Sequence, residues 1–122
     1  EERFHAMKFF NYVLERGGKV TLKPIEGPAT EFKTPLKAFQ AALEHEQFIT
    51  KSINDLMDLA IKENDHATKS FPEWYIDEQV EEEASVDKIV NQLKMVGDNG
   101  HGIMMIDREL GQRSYTPPAN EE

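Results

Sequence analysis

The stretch Trp74-Tyr75-Ile76-Asp77-Glu78-Gln79-Val80-Glu81-Glu82-Glu83 decides the fold, because it places carboxylates where a helix should carry apolar side chains. On either side of it, apolar residues recur in steps of three and four and define one helical face: Phe71, Tyr75, Val86, Ile89, Leu93 and Val96. The same series passes through Glu78 and Glu82, with Gln79 one position further around the helix. Because a buried, unpaired carboxylate costs several kcal/mol, this face predicts a polar site within a helical core.

The preceding helix is interrupted in the same way. Its series passes through Glu46 and Thr50 at the centre, and its apolar members are Leu36, Phe39, Leu43, Ile53, Met57 and Ala60. Only a short break at Glu63-Asn64-Asp65 separates the two helices, which favours antiparallel packing. When the helices are mirrored about this break, Glu46 and Glu82 lie on facing sides at the same depth.

Two carboxylates at one depth repel each other unless a cation lies between them. Carboxylate together with imidazole is a ligand set for iron, manganese or zinc. The first helix offers both groups in Glu2-x-x-His5, on the face that also carries Phe9 and Tyr12. A Glu-x-x-His pair is a ligand element of helical bundles that hold two metal ions. The three interrupted faces therefore predict a metal site.

The remaining boundaries follow from glycine, proline and capping residues, and they predict an all-α chain. We expect one domain over residues 1–113, with a partial helix at 1–16, a crossover loop at 17–34, helices at 35–63 and 66–97, a short helix at 102–111 and then a flexible tail at 114–122. Residues 19–22 are a candidate for a short extended segment. Pro72 falls inside the third helix, which either kinks there or begins at Ser70, whose spacing to Glu73 gives a capping box.

The composition sets limits on function. The 122 residues include no cysteine, which excludes disulfides, thiolate metal sites and cysteine nucleophiles. A net charge of −9 disfavours nucleic acid and anionic membranes as partners and suits cations. No apolar run approaches the roughly 18 residues of a membrane span, and no signal-peptide pattern opens the sequence. We therefore expect a cytoplasmic protein.

Each polar feature also has an ordinary structural explanation. A single Glu-x-x-His on a charged helix is usually a solvated face, and Glu81-Glu82-Glu83 alone would be a surface charge run. The segment Glu44-His45-Glu46 is exposed if the apolar face is assigned differently. Exposure is also favoured over metal binding for His45, His66 and His101. What favours the metal site is that three helices all break their apolar faces with groups that bind metals.

Several segments of the chain resemble the non-haem ferritins of bacteria and archaea. The matching segments are EERFHAMK at 1–8 and ERGG at 15–18 (helix B), AALEHE at 41–46 (helix C), WYIDEQVEEE at 74–83 (helix D) and MIDREL at 105–110 (helix E). The helix D segment is highly specific. Archaeal and thermophilic members are the most similar, including the Thr116-Pro117-Pro118 tail.

The resemblance implies a role for each matching residue. Glu2 and His5 would bind the first iron of a ferroxidase centre, with Glu2 bridging to the second iron. Glu46 and Glu82 would bind the second iron, and Gln79 would line the centre near the oxygen site. A third iron site of the prokaryotic ferritins would correspond to Glu1, Glu78 and Glu81.

The resemblance also implies a ferritin-like four-helix bundle with a long crossover loop and a short C-terminal helix. Subunits of the family assemble into a homo-oligomeric shell, commonly of 24. Fe(II) is oxidised at the di-iron centre with dioxygen or hydrogen peroxide, and ferric mineral is stored inside the shell. We expect no haem, because no segment is recognisable as the carrier of an axial methionine.

The chain departs from the family in two places. Helix A, which gives the remaining glutamate ligand of the first iron, and the first half of helix B have no counterpart here. Pro72 also stands where the family usually has an apolar residue. The predicted helices at 1–16 and 35–63 would be about 24 and 43 Å long, and such unequal lengths suit an N-terminally truncated bundle.

Three functions remain in competition. The first is iron storage and detoxification by a ferroxidase. The second is a truncated, non-catalytic helical assembly module that binds metal weakly or not at all. The third is a small di-metal bundle of another activity, such as a peroxidase.

Overall fold

The computed structural model describes residues 2–114, and every regular element in this range is an α-helix. The helices are α1 (Glu2–Glu15), α2 (Pro35–Lys62), α3 (His66–Ser70), α4 (Glu73–Val96) and α5 (Gly100–Leu110). The all-α class predicted from the sequence is therefore confirmed. Among the helices so described, none is both long and apolar enough to cross a membrane.

The described residues form two compact units. The smaller unit comprises residues 2–29 and 112–114 and contains α1. This helix ends as the sequence predicts, because Gly17 adopts a positive φ of 75° and its amide donates to the carbonyl of Leu14 at 2.9 Å. Residues 19–22 form no strand and belong to an irregular stretch that leads out of this unit.

The larger unit, Thr30–Gly111, contains α2 to α5. Thr34 caps the start of α2: its hydroxyl oxygen accepts a hydrogen bond from the Lys37 amide at 3.2 Å, and Pro35 follows as the first helical residue. α2 packs against both α3 and α4, and α4 packs against α5. The long helices α2 and α4 therefore form the frame of this unit.

The predicted inner faces of α2 and α4 are the faces that become buried. Every position of the first series is buried or half-buried, namely Leu36, Phe39, Leu43, Glu46, Thr50, Ile53, Met57 and Ala60. The same holds for every position of the second series, namely Phe71, Tyr75, Glu78, Glu82, Val86, Ile89, Leu93 and Val96. The polar members thus lie on the packed faces, as the spacing predicts.

The single helix expected at 66–97 is instead two helices, α3 and α4, separated by Phe71 and Pro72. Pro72 takes the N-cap position of α4 and forms no side-chain cap bond, so the expected capping box that begins at Ser70 is wrong. Proline lacks the amide that would continue the hydrogen-bond ladder of α3. α3 has its own cap in Asp65, whose carboxylate accepts from the Thr68 amide at 3.0 Å.

An apolar cluster joins α5 to the far end of α4. It consists of Ile89, Leu93 and Ile106, with half-buried side chains around it: Leu36, Phe39, Val96 and Leu110. Gly102 permits the close approach of α5, because a Cβ at this position would lie 2.7 Å from Cγ1 of Val96. The apolar cluster lies toward the C-terminal end of α4, whereas the polar positions of the inner face lie nearer the middle of this helix.

Shortening Leu93, which is 4% exposed, is expected to lower the free energy of unfolding by about 3 kcal/mol in Leu93→Ala, through lost burial and a residual cavity. Met95→Ala, on the same helix but 80% exposed, is the matched control and is expected to change it by less than about 0.5 kcal/mol. Urea unfolding followed by circular dichroism measures both. Equal effects in the two variants would contradict the assigned core.

Candidate metal centre

A buried amide is the central polar group between α2 and α4. Gln79 of α4 is only 4% exposed. Its Nε2 lies 3.1 Å from the backbone oxygen of Glu46, 3.3 Å from Oε2 of the same residue and 3.2 Å from Oγ1 of Thr50. The predicted break in the two apolar faces is thus a hydrogen-bonded polar cluster.

A second bond extends this cluster along α4. The hydroxyl of Thr50 donates to Oε1 of Glu83, which lies one helical turn beyond Gln79. These cross-helix bonds connect α2 to α4. The sequence predicts Glu46 opposite residue 82 or 83, whereas the observed bond joins Glu46 to Gln79, about one turn away.

The carboxylates assigned from the sequence differ in exposure. Glu46, Glu78 and Glu82 are half-buried, whereas Glu81 is exposed. Glu1, the remaining residue assigned to a third iron site, lies outside the described residues. Of the two described residues of that site, Glu78 lies on a packed face and Glu81 does not.

The Glu-x-x-His pair of the smaller unit is only partly solvated. His5 is 6% exposed, and its Nδ1 lies 3.9 Å from Oε2 of Glu2. The Glu2 side chain is 75% exposed. α1 thus presents a buried imidazole beside an accessible carboxylate, a combination suited to a metal ligand pair. By contrast, three histidines are exposed, as the sequence predicts: His45, His66 and His101.

Over residues 2–114, no three His, Asp or Glu side chains converge closely enough to form a metal-binding group. Within the larger unit, two of the carboxylates make hydrogen bonds across the α2–α4 interface. The carboxylate of Glu46 is turned toward the Gln79 amide, and that of Glu83 toward Thr50. The Gln79 amide meets only one carboxylate oxygen of Glu46, Oε2, and an ionised carboxylate has a second oxygen that can bind a cation.

The sequence places Thr50 at the polar break of α2 but predicts no role for it in the site, and it predicts none for Glu83. Thr50 lies on the inner face of α2, and that position was the available signal. Glu83 lies inside the acidic run and carries no such signal, because its role depends on the hydroxyl opposite. The observed features define a helical protein with a polar, carboxylate-bearing interior between its long helices.

Comparison with known proteins shows which helical proteins this chain is similar to. A family model described as a ferritin-like domain matches residues 1–96. The bacterial non-heme ferritin of Staphylococcus haemolyticus (strain JCSC1435) is 39% identical over 115 residues, which make up 94% of this chain and 69% of the relative. The corresponding protein of Staphylococcus aureus (strain MRSA252) is 36% identical with the same coverage.

Solved structures agree with the sequence relatives. A humanized archaeal ferritin superposes with a TM-score of 0.92 and 45% identity, covering 95% of this chain and 70% of that chain. An open pore ferritin from the hyperthermophilic archaeon Archaeoglobus fulgidus gives a TM-score of 0.88 and 45% identity, covering 91% and 68%. The chain therefore belongs to the ferritin family, which confirms the resemblance and the four-helix bundle fold.

Replacing the buried amide by a carboxylate tests the geometry of the cluster. Gln79→Glu puts a second carboxylate beside the Glu46 carboxylate, and the repulsion is expected to lower the free energy of unfolding by about 2 kcal/mol at pH 7. The loss relative to the unaltered chain should shrink as the pH falls toward about 4.5, because protonation of the introduced carboxyl removes the repulsion. Urea unfolding at the two pH values measures it.

Gln47→Glu is the matched control, because Gln47 is an exposed residue of α2 next to Glu46. It should change the free energy of unfolding by less than about 0.5 kcal/mol at either pH. If Gln79→Glu were equally harmless at pH 7, Gln79 could not lie against the Glu46 carboxylate.

Proposed function

We propose that this chain stores iron and oxidises Fe(II) at a di-iron ferroxidase centre. Family membership supports iron storage in general. The observation that carries the finer proposal is the polar cluster between α2 and α4, which has the half-buried carboxylate of Glu46 at its edge. Nothing in the packing of α2 on α4 requires a carboxylate there, since an apolar residue would fill that position at lower cost.

The proposed ligands are those that the sequence resemblance assigns. Glu2 and His5 would hold one iron, and Glu46 and Glu82 would hold the other. Hard carboxylate oxygens favour Fe(III) over Fe(II) and so promote oxidation. Imidazole from His5 completes a set typical of iron. Gln79 lines the centre, and its amide bonds to the backbone of Glu46.

The chemistry follows from holding two ions together. Each of two Fe(II) ions gives up one electron, and dioxygen accepts both electrons and two protons to become hydrogen peroxide. Hydrogen peroxide is itself a second oxidant for Fe(II). The resulting ferric ions move on to the stored mineral, with Glu1, Glu78 and Glu81 proposed as a third iron site beside the centre.

We further propose that the chain works as a homo-oligomeric shell, commonly of 24 subunits in the family. Large apolar side chains lie exposed on α4 and α5, namely Met95, Met104 and Met105. Exposed apolar surface is typical of faces that contact other subunits. Storage of a mineral requires an enclosed space, and the interior of a single small domain is close-packed.

A second candidate function is a helical assembly module without catalysis. One observation favours it: the described residues contain no ready group of three metal ligands. Such a module would assemble through the same exposed apolar side chains but would leave Fe(II) unoxidised.

Aerobic Fe(II) oxidation distinguishes these functions. The initial rate, followed by ferric absorbance, is expected to fall at least about tenfold in Glu46→Ala and in Glu82→Ala, because each removes a ligand of the reacting iron. Glu44→Ala removes an exposed carboxylate from the same helix as Glu46 and should keep the original rate. Oxidation no faster than in buffer, or unchanged rates in the first two variants, would contradict the ferroxidase proposal.

A further inference from the structure

The cluster between α2 and α4 contains one acceptor more than its central amide can use. Gln79 carries two N–H hydrogens on Nε2. Three acceptors lie around that nitrogen, at 3.1 Å (backbone oxygen of Glu46), 3.2 Å (Thr50 Oγ1) and 3.3 Å (Glu46 Oε2). Because the residue is 4% exposed, water cannot readily replace any of the three. The acceptor with the longest distance is the carboxylate.

Because of this surplus, the Glu46 carboxylate can leave without stranding either hydrogen of the Gln79 amide. If it turns toward a cation, both Gln79 hydrogens still have acceptors, one on the Glu46 backbone and one on Thr50. Without the Thr50 hydroxyl, the second hydrogen would have only the carboxylate, and releasing it would strand a buried donor. Thr50 thus decides whether Glu46 is held or available.

Glu83 sets the direction of the Thr50 hydroxyl. That hydroxyl carries one hydrogen and two lone pairs. Its hydrogen is given to Oε1 of Glu83, so a lone pair is left facing the Gln79 amide. If Glu83 did not take this hydrogen, the hydroxyl could instead compete as a donor within the cluster. The Thr50 hydroxyl therefore donates to Glu83 and accepts from Gln79.

We propose that Thr50 and Glu83 are positioning residues that keep the Glu46 carboxylate available to iron. The inference rests on the proposed function, because it concerns the same carboxylate. Neither residue binds the metal. Thr50 occupies the Gln79 amide in place of the carboxylate, and Glu83 orients Thr50. Gln79 accordingly influences the Glu46 carboxylate through the hydrogen bonds that its amide donates to Glu46 and Thr50.

The test measures Co(II) affinity of the full chain by isothermal titration calorimetry, without oxidant. Thr50→Val keeps the shape of the side chain but removes the hydroxyl, and it is expected to weaken Co(II) binding about tenfold, as typical for loss of an outer-shell partner. Thr50→Ser restores the hydroxyl and should return the affinity to within about threefold of the original. Glutamine is a weaker acceptor than glutamate, so the Co(II) affinity of Glu83→Gln should lie between the affinities of Thr50→Val and Thr50→Ser.

Ser52→Ala is the matched control, since Ser52 is an exposed α2 residue whose hydroxyl bonds to the backbone of Phe48. It should leave the affinity unchanged. Rescue by serine separates the role of the hydroxyl from a general packing defect. Equal affinity in Thr50→Val and the unaltered chain, or equal losses in the valine and serine variants, would overturn the positioning role alone.

The unaltered chain and Glu46→Ala complete the experiment. Co(II) binding that Glu46→Ala weakens is the expected result. If the unaltered chain binds no Co(II), or binds it equally well without the Glu46 carboxylate, the proposed function fails and the positioning role fails with it. The two failures are therefore distinguishable.

Discussion

The packing of α2 on α4 depends on one buried amide. Gln79 bonds to the backbone and the side chain of Glu46 and to Thr50, so it connects the two helices at the centre of their interface. A buried amide tolerates little displacement, because each lost bond leaves a desolvated polar group. Apolar side chains on either side can pack with many partners, whereas each of these bonds needs one particular partner. The positions of Glu46 and Thr50 against Gln79 follow from these bonds.

The polar groups of the cluster stabilise the α2–α4 interface less than apolar side chains would. Filling the positions of Glu46 and Thr50 with apolar residues would bury more hydrophobic surface and remove the need for matched partners. Polar groups in the interface between two helices are typical of a binding or catalytic site. In a member of the ferritin family, iron is the simplest candidate, since carboxylate oxygens are hard ligands.

The apolar spacing was sufficient to predict α2, the inner face of α4 and the place of Glu46 and Glu82 on the packed faces. It failed at Pro72, because the periodicity continues through Phe71 while the missing amide ends the helix. It also failed for Glu83. A helical pattern predicts which face of a helix a residue occupies. It does not predict that Glu83 of α4 accepts a hydrogen bond from Thr50, because that bond depends on how α2 packs against α4. The exposure of Glu81 beside the half-buried Glu82 follows from the 100° step of the helix.

An anomalous-scattering map at the iron edge, from crystals soaked anaerobically in Fe(II), tests the central claim most directly. The account predicts an iron peak within bonding distance of a Glu46 carboxylate oxygen. It also predicts that the Gln79 amide keeps its bonds to the Glu46 backbone and to Thr50. A map with no iron at Glu46, and with its carboxylate still on Gln79, would contradict the account.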